Sequence, residues 1–206
     1  MNILTLILSY LIGSISFALV IGKMFYKKDI RDYGSGNLGA TNAYRVLGIK
    51  AGVIVAIADI LKGTLACLLP LILSSTINPI VCGLLAILGH IFSVFASFKG
   101  GKAVATATGV FLFLTPLGIF VGFVVFVLTL LFTKYVSLSS MLAGIALFIY
   151  SLIFEDKVII ALSLLISVSI IILHRQNIKR ILNGTENKIV EKYWVLFVKL
   201  TGALVR

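Results

Sequence analysis

The chain has 206 residues, of which 60% are hydrophobic and 12% charged, and its formal net charge is +11. Its mean hydropathy of +1.16, and an apolar share above the roughly 45–50% of soluble domains even with glycine counted, exclude a soluble globular domain. Apolar runs recur far beyond the N-terminus, so a cleaved leader does not account for them, and positive charge scattered between such runs points to anionic lipid head groups and anionic substrates, not nucleic acid.

A spanning helix needs ~20 apolar residues, and the runs lie at about 3–22, 51–74, 79–98, 104–133, 138–154 and 157–173. The fourth is too long for one span and carries Thr115-Pro116 near its middle, where a missing N–H breaks a helix. It divides into 104–114 and 116–133. The prediction is an all-α, polytopic membrane protein of seven transmembrane helical segments, two of them short. Lys23, Lys27, Lys28, Arg31, Arg45 and Lys50, then Lys99 and Lys102, then Lys134, then the basic residues after 173 all fall on one side if the fourth run is split. The excess of Lys and Arg marks that side as cytoplasmic, with the N-terminus outside and the C-terminus inside. Residues 1–188 form one integral membrane domain. The tail 189–206 lies either in the headgroup layer, with Trp194 and Phe197 inward, or as a loosely ordered terminus. Cys67 and Cys82 sit in apolar runs without ligand-like spacing and read as packing residues.

Four polar clusters stand out. The first, GSGNLGATN (34–42), contains G-x-G-x-x-G as Gly34, Gly36 and Gly39, and Asp59 follows twenty residues after Gly39. A dinucleotide site needs a strand before the glycines and a helix after them. The preceding KKDIRDY is charged and Asp59 falls in an apolar run, so that reading fails. A phosphate reading survives: Gly34, Gly36 and Gly39 let backbone N–H groups approach an anion, Ser35, Asn37, Thr41 and Asn42 add donors, and Arg45 adds a guanidinium fork. A plain glycine-rich turn is the alternative. The second cluster, FKGGKA (98–103), combines Gly100 and Gly101 with Lys99 and Lys102, but Ala103 stands where a nucleotide-binding P-loop has Ser or Thr. The third, KYVSLSS (134–140), supplies Ser137 and Ser140. The fourth, HRQNIKRILNGTE (174–186), supplies His174, Asn177 and Glu186. Asp59 and Lys62, three apart on one helix face, read as an ion pair that braces the site, and His90 reads as a hydrogen-bonded structural residue.

Together these clusters resemble the bacterial acyl-phosphate:glycerol-3-phosphate acyltransferases of the inner membrane, over about residues 1–188. GSGNLGATN with Arg45 is similar to the family's first motif, GHIFSVFASFKGGKAVAT (89–106) to its second, and KYVSLSS with HRQNIKRILNGTE to its third. Phe92-Ser93 and Ala103 depart from the usual Tyr-Pro and Gly. The resemblance implies transfer of a fatty acyl group from acyl phosphate to the 1-hydroxyl of glycerol-3-phosphate, the first step of phospholipid synthesis. By position it implies Ser35, Arg45, Lys102, His174 and Asn177 as the catalytic set and Gly100 and Gly101 as part of a phosphate loop. Ser140 is implied near glycerol-3-phosphate, and Glu186 as a structural acid.

His174 can serve as general base, or the substrate's own phosphate can take the proton. Thioester-dependent acyltransferases commonly carry His-x-x-x-x-Asp, but the fifth residue after His90 is Phe95 and after His174 is Lys179. There is no Asp-rich cluster beyond Asp29 and Asp32, so neither a metal nor an organic cofactor is expected. A transporter of organic phosphates is the competing reading, against which stands the lack of an internal repeat.

Overall fold

The computed structural model of the chain describes residues 1–189; the Trp194 and Phe197 tail lies outside the described residues. These are all helix and loop, in the order α1 (Asn2–Ser14), α2 (Phe17–Tyr26), α3 (Ala40–Leu47), α4 (Ile49–Ile72), α5 (Pro79–Ile91), α6 (Val104–Leu114), α7 (Pro116–Thr133), α8 (Val136–Phe154), α9 (Lys157–Leu173) and α10 (Arg175–Leu182), with 3₁₀ turns at Ile30–Asp32 and Val94–Ala96. Each predicted apolar run is built on α-helix, but the run 79–98 is α-helical only to Ile91 and continues through the 3₁₀ turn Val94–Ala96. Four stretches, Ile49–Ile72, Pro79–Ala96, Pro116–Thr133 and Val136–Phe154, are long and apolar enough to cross a bilayer, or six if the bent pairs α1–α2 and α9–α10 each make one span. Helix α6 is a shorter apolar helix.

The helix ends follow local chemistry. The 104–133 run breaks at Thr115, where Pro116 opens α7, the first-turn position at which a missing N–H costs nothing. Asn78 caps α5 ahead of Pro79 by accepting from Ile80 N–H at 2.9 Å. Asp156 caps α9, accepting from Val158 and Ile159 N–H at 2.8 and 3.0 Å.

One expectation fails at the N-terminus. The run 3–22 is not one helix: it bends by 51° between α1 and α2, with Ile15 and Ser16 extended. Ser16 caps α2, its Oγ accepting from Leu19 N–H at 3.3 Å, and the buried ammonium of Lys62 donates to the Ile15 carbonyl at 2.7 Å. A second difference is that the polar clusters are not all loop. Residues 40–47 and 175–182 form the short amphipathic helices α3 and α10.

Lipid supplies no hydrophobic drive between helices, so close approach through small residues does the work. A Cβ at Gly109 of α6 would stand 1.9 Å from the Ile60 carbonyl oxygen of α4, and one at Gly63 of α4 would stand 2.2 Å from that of Thr106. Thr64 Oγ1 adds a hydrogen bond to the Gly109 carbonyl at 2.8 Å. Gly109→Ala must therefore part α4 from α6. We expect it to destabilise the detergent-solubilised protein by about 1–3 kcal/mol, read as a lowered thermal unfolding midpoint; an unchanged midpoint would contradict this packing.

Candidate active site

The segment between α2 and α4 folds around one buried amide. Asn42, 2% exposed, accepts from Ser35 N–H at 2.9 Å and donates to the Ile30 and Tyr33 carbonyls at 3.2 Å each. Gly34 and Gly36 adopt φ of +62° and +67°, which glycine reaches without strain, and a Cβ at Gly34 would stand 2.3 Å from Asn42 Oδ1. Gly36 N–H donates to the Tyr33 carbonyl at 3.0 Å. Asn42, Gly34 and Gly36, expected among the anion donors, instead spend their hydrogen bonds and backbone freedom on the shape of the loop. Asp29 pins its start, with Arg31 at 2.7 Å and Lys23 at 3.1 Å; the Arg31 guanidinium holds that carboxyl well below the usual carboxylate range.

That shape puts Ser35, Asn37, Gly39, Thr41 and Arg45 on the wall of a cavity of about 530 Å³. Helix α3 starts at Gly39 with no side-chain cap, so the cavity meets the positive end of a helix. Arg45 reaches toward the strand of chain after α10, its Nη2 donating to the Asn187 carbonyl at a long 3.5 Å.

The second loop differs from its predicted role. Gly100 N–H donates to the Ile91 carbonyl at 3.0 Å and Gly101 N–H to the His90 carbonyl at 3.1 Å. Both amides are spent on the end of α5, and neither glycine lines the cavity. They are small because His90 is close: a Cβ would stand 1.8 Å from the His90 carbonyl oxygen at Gly100 and 2.3 Å from His90 Nε2 at Gly101. Lys99 is exposed. From this loop it is Lys102 that enters the cavity, donating to Asn177 Oδ1.

Helices α8 and α10 close the polar end around a carboxylate. Glu186 accepts from Ser137 Oγ at 2.9 Å, Asn177 Nδ2 at 2.7 Å and Arg180 Nε at 2.6 Å. Burial opposes its charge, but the hydrogen bonds from Asn177, Arg180 and Ser137 prevail and hold it below the usual glutamate range. Ser140 also borders the cavity, its hydroxyl donating to the Val136 carbonyl at 2.9 Å. His174, in the kink past the end of α9, is 4% exposed, and its Nδ1 lies 2.8 Å from the Ile170 carbonyl. A carbonyl only accepts, so Nδ1 carries the proton and Nε2 keeps its lone pair. Burial, with Lys102 nearby, pushes this imidazole down to about 4, so it is neutral at pH 7.

Arg180 and Gln176 also line this end, though the sequence reading singled out neither. Arg180 was findable, since it lies three residues after Asn177 and on the same helix face. Asp59 and Lys62 form an ion pair at 2.8 Å, 1% and 3% exposed, with Asp59 and His90 at the cavity wall. Deeper in, the lining turns apolar, through Ile60, Phe111, Ile119, Phe123, Leu147 and Ile166. At the polar end Arg45, Lys102 and Arg180 stand against Glu186, three positive charges and one negative, a surplus of two; Asp59 is already matched by Lys62. Burial and the neighbouring Arg180 push the Lys102 ammonium down to about 8. A buried surplus of cations is costly unless an anion joins it, and the arrangement is that of an anion site opening onto an apolar chamber.

Comparison with known proteins agrees with this geometry. A family model described as glycerol-3-phosphate acyltransferase matches residues 3–184. The chain is 96% identical over 190 residues to glycerol-3-phosphate acyltransferase 2 of Bacillus anthracis, covering 92% of this chain and 100% of that one. It is 53% identical over 186 residues to a glycerol-3-phosphate acyltransferase of Bacillus subtilis, covering 90% and 96%. Crystal structures of PlsY (YgiH), an integral membrane glycerol 3-phosphate acyltransferase, superpose on it at 38% identity. The glycerol 3-phosphate form does so with a TM-score of 0.85 over 95% of this chain and 98% of that one, and the lysophosphatidic acid form with 0.81 over 91% and 95%. With its helices, its anion-seeking polar end and these relatives in agreement, the chain belongs to the integral membrane glycerol-3-phosphate acyltransferase family.

Proposed function

We propose that this protein transfers a fatty acyl group from acyl phosphate to the 1-hydroxyl of sn-glycerol-3-phosphate, giving 1-acyl-glycerol-3-phosphate (lysophosphatidic acid) and inorganic phosphate. The observation that carries the reading is a cavity with a surplus of two positive charges at one end and an apolar lining at the other. A phosphate monoester brings about −1.5 to −2 charges at pH 7, enough to balance that surplus. The apolar chamber suits the acyl chain. In the reaction the hydroxyl oxygen bonds to the acyl carbon, the carbon–oxygen bond to phosphate breaks, and the hydroxyl proton leaves to a base or to the departing phosphate. The leaving group is a good one, so the protein's task is to position the hydroxyl and to stabilise charge on the phosphate and the tetrahedral oxygen.

Roles follow from geometry. Lys102 holds a substrate phosphate, with Asn177 and Glu186 fixing its ammonium. Arg45 and Ser35 orient glycerol-3-phosphate beside Asn37, Thr41 and the start of α3, and Ser140 borders its glycerol. His174 borders the same end, and the lone pair left on Nε2 by its Nδ1 contact suits it as base. The charge asymmetry of the loops supports seven spans with the basic loops and the site facing the bacterial cytoplasm, and the catalytic domain is assigned to residues 1–188.

Three measurements test this. Purified protein given palmitoyl phosphate and glycerol-3-phosphate should release inorganic phosphate only when both are present, and palmitoyl-CoA should not replace the donor. Lys102→Ala should cost about 10²–10³ in rate, whereas turnover with the thioester would refute the assignment of donor. Since kcat/KM follows the free enzyme, it should fall above about pH 8 as Lys102 loses its proton. His174, near 4 and already neutral, should add no inflection between pH 5.5 and 7.5; any change there should follow the second ionisation of the substrate phosphate, at about pH 6. His174→Ala should lower kcat by about 10²–10⁴ if Nε2 takes the proton; a loss under tenfold would hand that role to the substrate phosphate.

A further inference from the structure

Asp59 and His90 lie at the wall of the cavity, with Lys62 paired to Asp59 behind them, and no step of the proposed reaction uses the three. Lysine has three N–H donors and no acceptor. Lys62 places one on the Ile15 carbonyl at 2.7 Å and one on His90 Nδ1 at 2.8 Å, with Asp59 Oδ1 at ion-pair distance, 2.8 Å. Nδ1 must therefore accept, which puts the ring proton on Nε2 and fixes the tautomer. Thr106 Oγ1 of α6, 3.2 Å from the same nitrogen, holds the ring from the other side.

The opposite edge of that ring is pressed against Gly101, where a Cβ would stand 2.3 Å from Nε2. The main chain of the same residue completes the grip. The carbonyls of His90 and Ile91, at the end of α5 and without helical partners, accept the amides of Gly101 and Gly100. The loop so held is strained: Ser97, Phe98 and Ala103 all sit at positive φ, +54°, +59° and +55°. Such a conformation persists only when its surroundings over-determine it. The next residue after the gripped glycines is Lys102.

We propose that His90, locked by the Asp59–Lys62 pair, is a positioning residue that clamps the strained 97–103 loop and thereby delivers the Lys102 ammonium to the cavity. The inference rests on the reading of Lys102 as a phosphate ligand. His90 touches no substrate; it acts through the loop. The same Lys62 ammonium satisfies the bend between α1 and α2, so one buried cation sets two backbone irregularities on the two sides of α5.

The test compares His90→Leu, which removes the acceptor and the fixed ring, with His90→Asn, whose Oδ1 can still accept from Lys62. In His90→Leu, Lys62 keeps Asp59 and Ile15 as partners, so the protein is expected to fold. The titratable and charged groups facing Lys102 are Arg45, His174, Arg180 and Glu186, and none is altered. Each variant is assayed for kcat/KM against pH, and for thermal stabilisation by inorganic phosphate, which needs no turnover.

His90→Leu should lose about tenfold in kcat/KM and move the alkaline limb upward from about pH 8 as the released ammonium becomes solvated. Its stabilisation by phosphate should fall to that of Lys102→Ala. His90→Asn should keep kcat/KM within about threefold, with the limb in place. A folded His90→Leu with an unmoved limb and full stabilisation by phosphate would overturn the proposal. Should that variant fail to fold, Gly101→Ala asks the same question from the loop side. Its Cβ displaces the loop from the ring, and an unmoved limb there would equally overturn it. Wild-type protein that phosphate stabilises through Lys102 but that does not turn over acyl phosphate would defeat the assigned reaction while leaving the clamp testable.

Discussion

Glu186 is the carboxylate from which the polar end hangs. Its two oxygens take donors from Ser137 on α8 and from Asn177 and Arg180 on α10, and Asn177 passes the tie on to Lys102 from the loop before α6. A buried carboxylate is tolerable only when its lone pairs are filled, and these partners fill them. Three separate pieces of chain are fixed to one another by that requirement, at the level where the apolar helices end. Without this anion the two arginines and the lysine would repel one another in a poorly solvated space. With it they keep a defined geometry and still carry excess positive charge.

What the sequence discloses depends on whether the physical cause is local. The break at Thr115-Pro116 is legible because the missing N–H is carried by the breaking residue itself. The bend at Ile15-Ser16 is legible only in part: Ser16 caps α2 from within the bend, but Lys62, which satisfies the Ile15 carbonyl, lies 47 residues away. The same division runs through the site. Ser35, Arg45, Lys102 and His174 could be picked out as polar residues clustered at the ends of apolar runs. Gly100 and Gly101 looked like amide donors for an anion, and only the fold reveals that two carbonyls of α5 stand behind them. Asn42 looked like another donor, yet a loop that must bury its own carbonyls consumes it. Arg180 is legible by helical spacing, three residues after Asn177 on α10.

Glycine serves opposite ends in the membrane-embedded part. At Gly63 and Gly109 its lack of a side chain lets α4 and α6 touch backbone to backbone. At Gly122 on α7 and Gly144 on α8 it borders the cavity, and next to Gly144 the nearest side-chain atom to an added Cβ is Ser167 Oγ, at 3.5 Å. At Gly144 the missing side chain leaves volume beside the cavity, whereas a Cβ at Gly122 would stand 3.2 Å from the Ala143 carbonyl oxygen of α8, so that glycine also serves close approach.

Phe123 lines that chamber and is also 61% exposed on the outer face of α7. The chamber wall and the lipid-facing surface are thus, at this ring, the same surface. A methylene moved from an apolar medium into water costs about 0.8 kcal/mol, so a long acyl chain that had to reach the site through water would meet a barrier growing with every carbon. A boundary shared with the bilayer removes that dependence. In the proposed reaction the chain would slide between two apolar media while its phosphate stayed at the wet end, and the energetics of entry and exit would become those of diffusion in a plane.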